Sequence, residues 1–262
     1  MIREITVMNS FAHKNIMSSK FIKFTAFTVR IFMELGKYDL YNWLINADYS
    51  NFSTRALAKS IIFDIIVGLR EFHSKGFIHR DIKLENIILF NNMDNALDKN
   101  TNLFPKITDF GLSSHVDIYS SPLPRLYYAC TRGYIPPEIL LGAYPDKQSI
   151  DIWSLGCLIV RMLSRSDFLR VSTDQDDNAM AQLFYIFRTF GTPDNDSWVG
   201  MDKLRDYKPT FPKWDNPGKL AEIFHKSRLD LSATQRYLIL RMFEYDPTKR
   251  ITINEIHDEW FK

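Results

Sequence analysis

Apolar positions along the chain recur with two different periods. From Leu57 to Phe72 they crowd the run L-A-K-S-I-I-F-D-I-I-V-G-L-R-E-F at helical spacing. Ser53 or Thr54 stands before it as a candidate N-cap, and Gly76 follows its end. Ile150 to Met162 reads as a second buried helix. Near the start, Ile2, Ile5 and Met8 fall on one helical face. Phe21 to Glu34 behaves differently. There β-branched and aromatic residues partly alternate with polar ones, which predicts two antiparallel strands. Ile87 to Phe90 predicts another strand. Asn91 to Pro105 is polar and rich in Asn and Asp, and reads as an exposed loop between strands.

Composition narrows the class. The chain has 262 residues, 45% of them hydrophobic and 24% charged, as in ordinary globular proteins. A net charge of +2 gives no reason to expect a nucleic-acid partner, and no amphipathic anchor argues for a membrane one. No apolar run reaches the roughly 18 residues of a membrane span. An N-terminal signal segment is not evident. Two cysteines, Cys130 and Cys157, make no disulfide framework. A reducing compartment, nucleus or cytoplasm, is the natural reading.

The chemistry concentrates between Phe77 and Leu89, in F-I-H-R-D-I-K-L-E-N-I-I-L. His79-Arg80-Asp81 is followed by Lys83 and, five residues after the Asp, by Asn86. Asp109-Phe110-Gly111 comes 28 residues after Asp81. Pro136-Pro137-Glu138 and Asp151-Ile152-Trp153-Ser154-Leu155-Gly156 follow. A lone Asp in a loop is most often a turn residue. Four such motifs in this order resemble the catalytic loop, metal-binding triplet and later landmarks of a eukaryotic-type protein kinase.

That resemblance implies a bilobal α+β fold, ATP and Mg²⁺ as cofactors, and protein substrates. Asp81 is implied as the base or orienter for a substrate hydroxyl, with Lys83 near the transferred phosphate. Lys83 also marks the serine/threonine class. Asn86 and Asp109 are implied as Mg²⁺ ligands; that ion takes oxygen donors and completes its shell with phosphates and water. Thr131 matches the Thr that hydrogen-bonds the catalytic Asp and Lys. His79, Phe110 and Gly111 complete their motifs as structural residues. Arg80 matches the Arg that pairs with an activation-segment phosphate. Asp151 is implied to hold the catalytic-loop backbone, and Arg250 to pair with Glu138.

Within kinases, the chain is similar to the cyclin-dependent family of the CMGC group. Ile2-Arg3-Glu4 matches the end of the cyclin-contacting helix, and Glu4 the residue that pairs with a third-strand lysine. Met33-Glu34-Leu35-Gly36 resembles the hinge. Met33 is then the gatekeeper, and the backbone of Glu34 and Leu35 would bond adenine. Asp39 would approach the ribose, and Ile88 would floor the adenine pocket. Gln182 to Pro193 and Asp206 to Trp214 resemble that family's insert region. Departures exist as well. Leu126 occupies the place of the phosphorylated Thr, and Gly133-Tyr134-Ile135 replaces the family's Trp-Tyr-Arg, which weakens an expectation of proline-directed substrate choice. The Asn-rich loop is about ten residues longer than the family's.

Only three residues precede Glu4, and no G-x-G-x-x-G occurs in the 262 residues. The expected organisation is a remnant of the small lobe with the hinge over 1–35 and a large lobe over 36–262. Two functions stay open on this basis. One is an active serine/threonine kinase with a cyclin partner, although most of the cyclin-contacting helix is absent. The other is a catalytically impaired kinase-fold binding or scaffold protein, or a truncated gene product.

Overall fold

The computed structural model describes residues 2–91, 102–116, 131–144, 147–166, 169 and 179–262. Contacts divide the chain into two compact units, 1–118 and 119–262.

The first unit opens with α1 (Ile2–Asn9) and a hairpin of β1 (Ser19–Phe24) and β2 (Val29–Met33). In α1 the expected Met8 is buried, together with Val7, and Ile5 is half-buried. β1 and β2 pair antiparallel, Phe21 opposite Phe32 and Lys23 opposite Arg30. β3 (Tyr38–Asp39), β5 (Ile87–Asn91) and β6 (Leu103–Ile107) form a three-stranded antiparallel sheet with β5 central. The predicted 91–105 loop is therefore shortened at both ends: Asn91 pairs with Leu103, and Pro105 lies inside β6 opposite Leu89. Pro105 is tolerated because β6 is an edge strand, where a missing N–H costs no ladder bond. The middle of that segment, 92–101, lies outside the described residues.

Two helices and a short strand pair complete this unit: α2 (Leu40–Asn46), α3 (Phe52–Ser74), and β4 (Phe77–Ile78) with β7 (Ser114–His115). α3 begins five residues earlier than the apolar run, because Asn51 Oδ1 accepts from Ser53 N at 2.8 Å and caps it. It ends where Gly76 takes φ +75°, a left-handed turn open to glycine. Asn15 stitches the preceding loop to β6. Its Nδ2 donates to Pro105 O at 2.9 Å, and its carbonyl accepts from Ile107 N at 2.9 Å. α3 approaches that loop so closely at Gly68 that a Cβ there would lie 2.9 Å from Asn15 O.

The second unit is helical in its described residues: α4 (Pro137–Leu140), α5 (Ser149–Ser164), α6 (Ala179–Phe190), α7 (Lys219–Lys226), α8 (Ala233–Met242) and α9 (Ile253–Glu259). α5 is its core. Trp153, fully buried, meets Phe190 and Phe243 edge-on at 5.7 and 5.1 Å. Capping boxes start α8 (Ser232 with Gln235) and α9 (Thr252 with Glu255). Among the described residues no helix is long and apolar enough to cross a membrane. The fold is α+β, helices with small antiparallel sheets.

Candidate active site

The candidate site grows out of the β5–β6 hairpin. Ile87 pairs with Ile107, so the residues just outside the pair, Asn86 and Thr108, meet at the same end of the sheet. Thr108 N donates to Asn86 O at 2.9 Å. Asp109 follows directly, exposed and at φ +63°. Asn86 closes a short 3-10 turn, Leu84–Asn86, after the segment that carries Asp81 and Lys83.

Asp81 is 7% exposed, and two donors converge on its Oδ2. Asn86 Nδ2 lies at 2.9 Å and Lys83 Nζ at 2.8 Å. Asn86 Nδ2 also donates to Asp81 O at 2.9 Å. With its amide nitrogen spent on Asp81, Asn86 has its side-chain oxygen left as a ligand.

His79 holds the loop from inside. Its Nδ1 accepts from Asp81 N at 3.2 Å, so the ring proton sits on Nε2, which donates to Thr108 O at 3.0 Å. One imidazole thereby joins the Asp81 segment to the strand end before Asp109. Phe110, fully buried, stacks on Phe72 at 5.6 Å and meets His79 edge-on at 5.5 Å. Gly111 N reaches Asp109 Oδ1 at 3.4 Å. Arg80, 6% exposed, takes φ +71°. Left-handed backbone at non-glycine residues costs about 1–3 kcal/mol and clusters at functional sites. Two of the three such residues described here, Arg80 and Asp109, flank this centre.

The hinge-like segment lies against the same sheet. Met33 ends β2, Glu34 is half-buried and Leu35 is 96% exposed. At Gly36 a Cβ would fall 2.0 Å from Ile88 Cγ2, so only glycine lets the segment lie on β5. Lys37 N donates to Leu89 O at 2.8 Å. Asp39 is opposite Ile88. It caps α2 with both carboxylate oxygens, accepting from Asn42 N at 2.7 Å and Asn42 Nδ2 at 2.6 Å. A ribose hydroxyl would share that carboxylate with the cap.

A family model described as the protein kinase domain matches residues 1–261. The chain belongs to the protein kinase domain family.

The donor set of this kinase domain suits Mg²⁺. Asn86 and Asp109 offer oxygens, and no cluster of three acidic, His or Cys side chains exists among the described residues. Such a pair needs nucleotide phosphates and water to complete the shell, as Mg²⁺ sites in phosphoryl-transfer enzymes commonly do.

Glu4 is half-buried in α1. Thr131, Glu138, Asp151 and Arg250 belong to the second unit of the kinase domain. There Thr131 O accepts from Tyr134 N at 3.2 Å, and Asp151 is fully buried in the first turn of α5. Arg250 forks onto Glu138, Nη1 to Oε1 at 2.6 Å and Nη2 to Oε2 at 2.9 Å. Ser120, Ser121, Leu126, Tyr127, Tyr128 and Cys130 lie outside the described residues.

Sequence reasoning missed Lys106. Its ammonium is 2.8 Å from Glu34 Oε2, and that hydrogen bond holds the Glu34 carboxyl below its usual range. The signal was a lysine inside the apolar run L-F-P-K-I, a setting in which a charge needs a partner.

Proposed function

We propose that this kinase domain is a serine/threonine protein kinase of cyclin-dependent type, taking ATP and Mg²⁺ and acting on protein hydroxyls. The observation that carries the reading is the buried Asp81 carboxylate, held on one oxygen by Lys83 and Asn86. In this reading Asp81 orients the substrate hydroxyl and takes its proton as the oxygen bonds to the γ-phosphorus. The bond from that phosphorus to the β–γ bridging oxygen breaks, and ADP leaves. Lys83, beside Asp81, balances charge on the moving phosphoryl group. Asn86 and Asp109 would hold Mg²⁺, which neutralises phosphate charge when bound. Glu34 and Leu35 would meet the adenine edge, with Ile88 beneath it and Met33 behind. Preorganised charge of this kind supplies most of the rate in phosphoryl transfer.

Two features support the cyclin-dependent assignment. Gln182 to Pro193, similar to that family's insert region, starts within α6 and continues past its end at Phe190. The similar stretch from Asp206 packs on it, Phe211 meeting Phe184 and Phe187 at 5.9 Å each.

The test is transfer of labelled γ-phosphate from Mg·ATP to a mixed protein substrate, with and without added cyclin, followed by phosphoamino-acid analysis. Label on Ser and Thr, raised by cyclin and lost by about 100-fold or more in Asp81→Asn, is expected. Transfer unaffected by Asp81→Asn, or label on Tyr alone, contradicts the reading.

A further inference from the structure

Lys106 sits where a lysine is costly. It is in β6, next to the strand's last residue, and 9% exposed. Its ammonium lies 5.1 Å from the Phe90 ring and 5.9 Å from the Phe104 ring. Phe90 and Phe104 are themselves cross-strand partners, so the three side chains share one face of the β5–β6 ladder. On that face Lys106 is directly opposite Ile88, and Ile88 is opposite Asp39. The lysine thus stands in one row with the residues assigned above to the adenine floor and the ribose. From there it spans 72 positions of sequence to reach Glu34.

Glu34 lies between β2 and β3, in a segment without strand partners of its own. Ties that fix this segment to the sheet include Lys106 to Glu34, Lys37 N to Leu89 O, and the close approach of Gly36 to Ile88. The last two act on the backbone downstream of Leu35. The first acts at the residue that follows β2. A stationary ammonium suits this task. The side chain is 11% exposed and its ammonium lies beside two rings, so little motion is left to lose when the pair forms.

We propose that Lys106 is a positioning residue for the nucleotide: through Glu34 it fixes the 34–35 backbone at the height above Ile88 that an adenine edge requires. The inference rests on the reading that this backbone binds ATP. It assigns Lys106 no contact with the nucleotide and no part in the chemistry. Losing the tie costs affinity for the base, and so blunts discrimination between purines.

The experiment measures dissociation constants for Mg·ATP and Mg·GTP in the wild type and in Lys106→Met, Lys106→Arg and Glu34→Ala. Met keeps an unbranched apolar side chain beside the phenylalanines, and Arg keeps the charge. In Lys106→Met and Glu34→Ala, ATP should bind about tenfold more weakly, the loss of about one well-made hydrogen bond, while GTP changes little. Lys106→Arg should restore most of the preference for ATP. Should Lys106→Met fail to fold, Glu34→Ala carries the comparison, because that side chain is 39% exposed. Wild-type and variant proteins binding ATP equally would overturn the role of Lys106 and leave the nucleotide reading standing. A folded wild type that binds no ATP would overturn that reading, and this inference with it.

Discussion

His79 fixes two things with one ring: the Asp81 amide on one nitrogen and the Thr108 carbonyl on the other. Residues with this leverage were legible in the sequence because they form a spaced motif. Lys106 was not, because its importance depends on a partner 72 residues away. The pair it makes has a defined dependence on pH. The Lys106 hydrogen bond lowers the Glu34 carboxyl from its ordinary 4.5. A carboxyl depressed in the folded state contributes stability above its unfolded value and loses it as pH falls through the folded one. The melting-temperature gap between wild type and Glu34→Gln should therefore stay level from pH 7 to about 4.5 and close below it. A gap that widens on acidification would contradict the assignment. The effect should be small, since the Glu34 side chain is 39% exposed.

Individual elements differ in how well they are supported. The β1–β2 hairpin is a two-stranded sheet, and such pairs are marginal by themselves. Phe21, Phe24 and Phe27 are 57%, 69% and 98% exposed, an apolar concentration that favours association. Replacing Phe24 with Thr and Phe27 with Ser should reduce light scattering on concentration and leave the melting temperature within a degree or so, because neither ring is buried. A large loss of stability would show that the hairpin is structurally coupled to the core. Opposite in kind is the tie between α4 and the segment before α9. Arg250 is fully buried, bonds both oxygens of Glu138, donates to Ser149 O at 2.9 Å and lies over Trp153 at 5.2 Å. Arg250→Ala strands a buried carboxylate and should cost about 3–5 kcal/mol. Arg250→Lys should recover only part, because an ammonium cannot reproduce the fork. An unchanged melting temperature in Arg250→Ala would remove the pair from the account.

At the scale of the whole molecule, the sequence carried the fold class and the main elements, and it blurred where long-range contacts set the limits. α3 starts at Phe52 because Asn51 caps it, although the apolar run begins later. β6 forms around Pro105 because Asn15, 90 residues earlier, takes its carbonyl. Gly36 was legible only as part of the hinge-like stretch, and its close approach to Ile88 was not. The order of Asp81, Asn86 and Asp109 was legible as a motif. Their convergence comes from the register of β5 against β6, which periodicity does not fix. The central claim is that this convergence holds nucleotide through Mg²⁺. The most direct test is the thermal stability of the purified 262-residue chain with ATP, with and without Mg²⁺. At about a hundred times Kd, bound nucleotide should add about 2.7 kcal/mol. A clear upward shift that needs Mg²⁺ and is lost in Asp109→Asn is the predicted result. A well-folded chain whose melting temperature ignores Mg·ATP would contradict the claim.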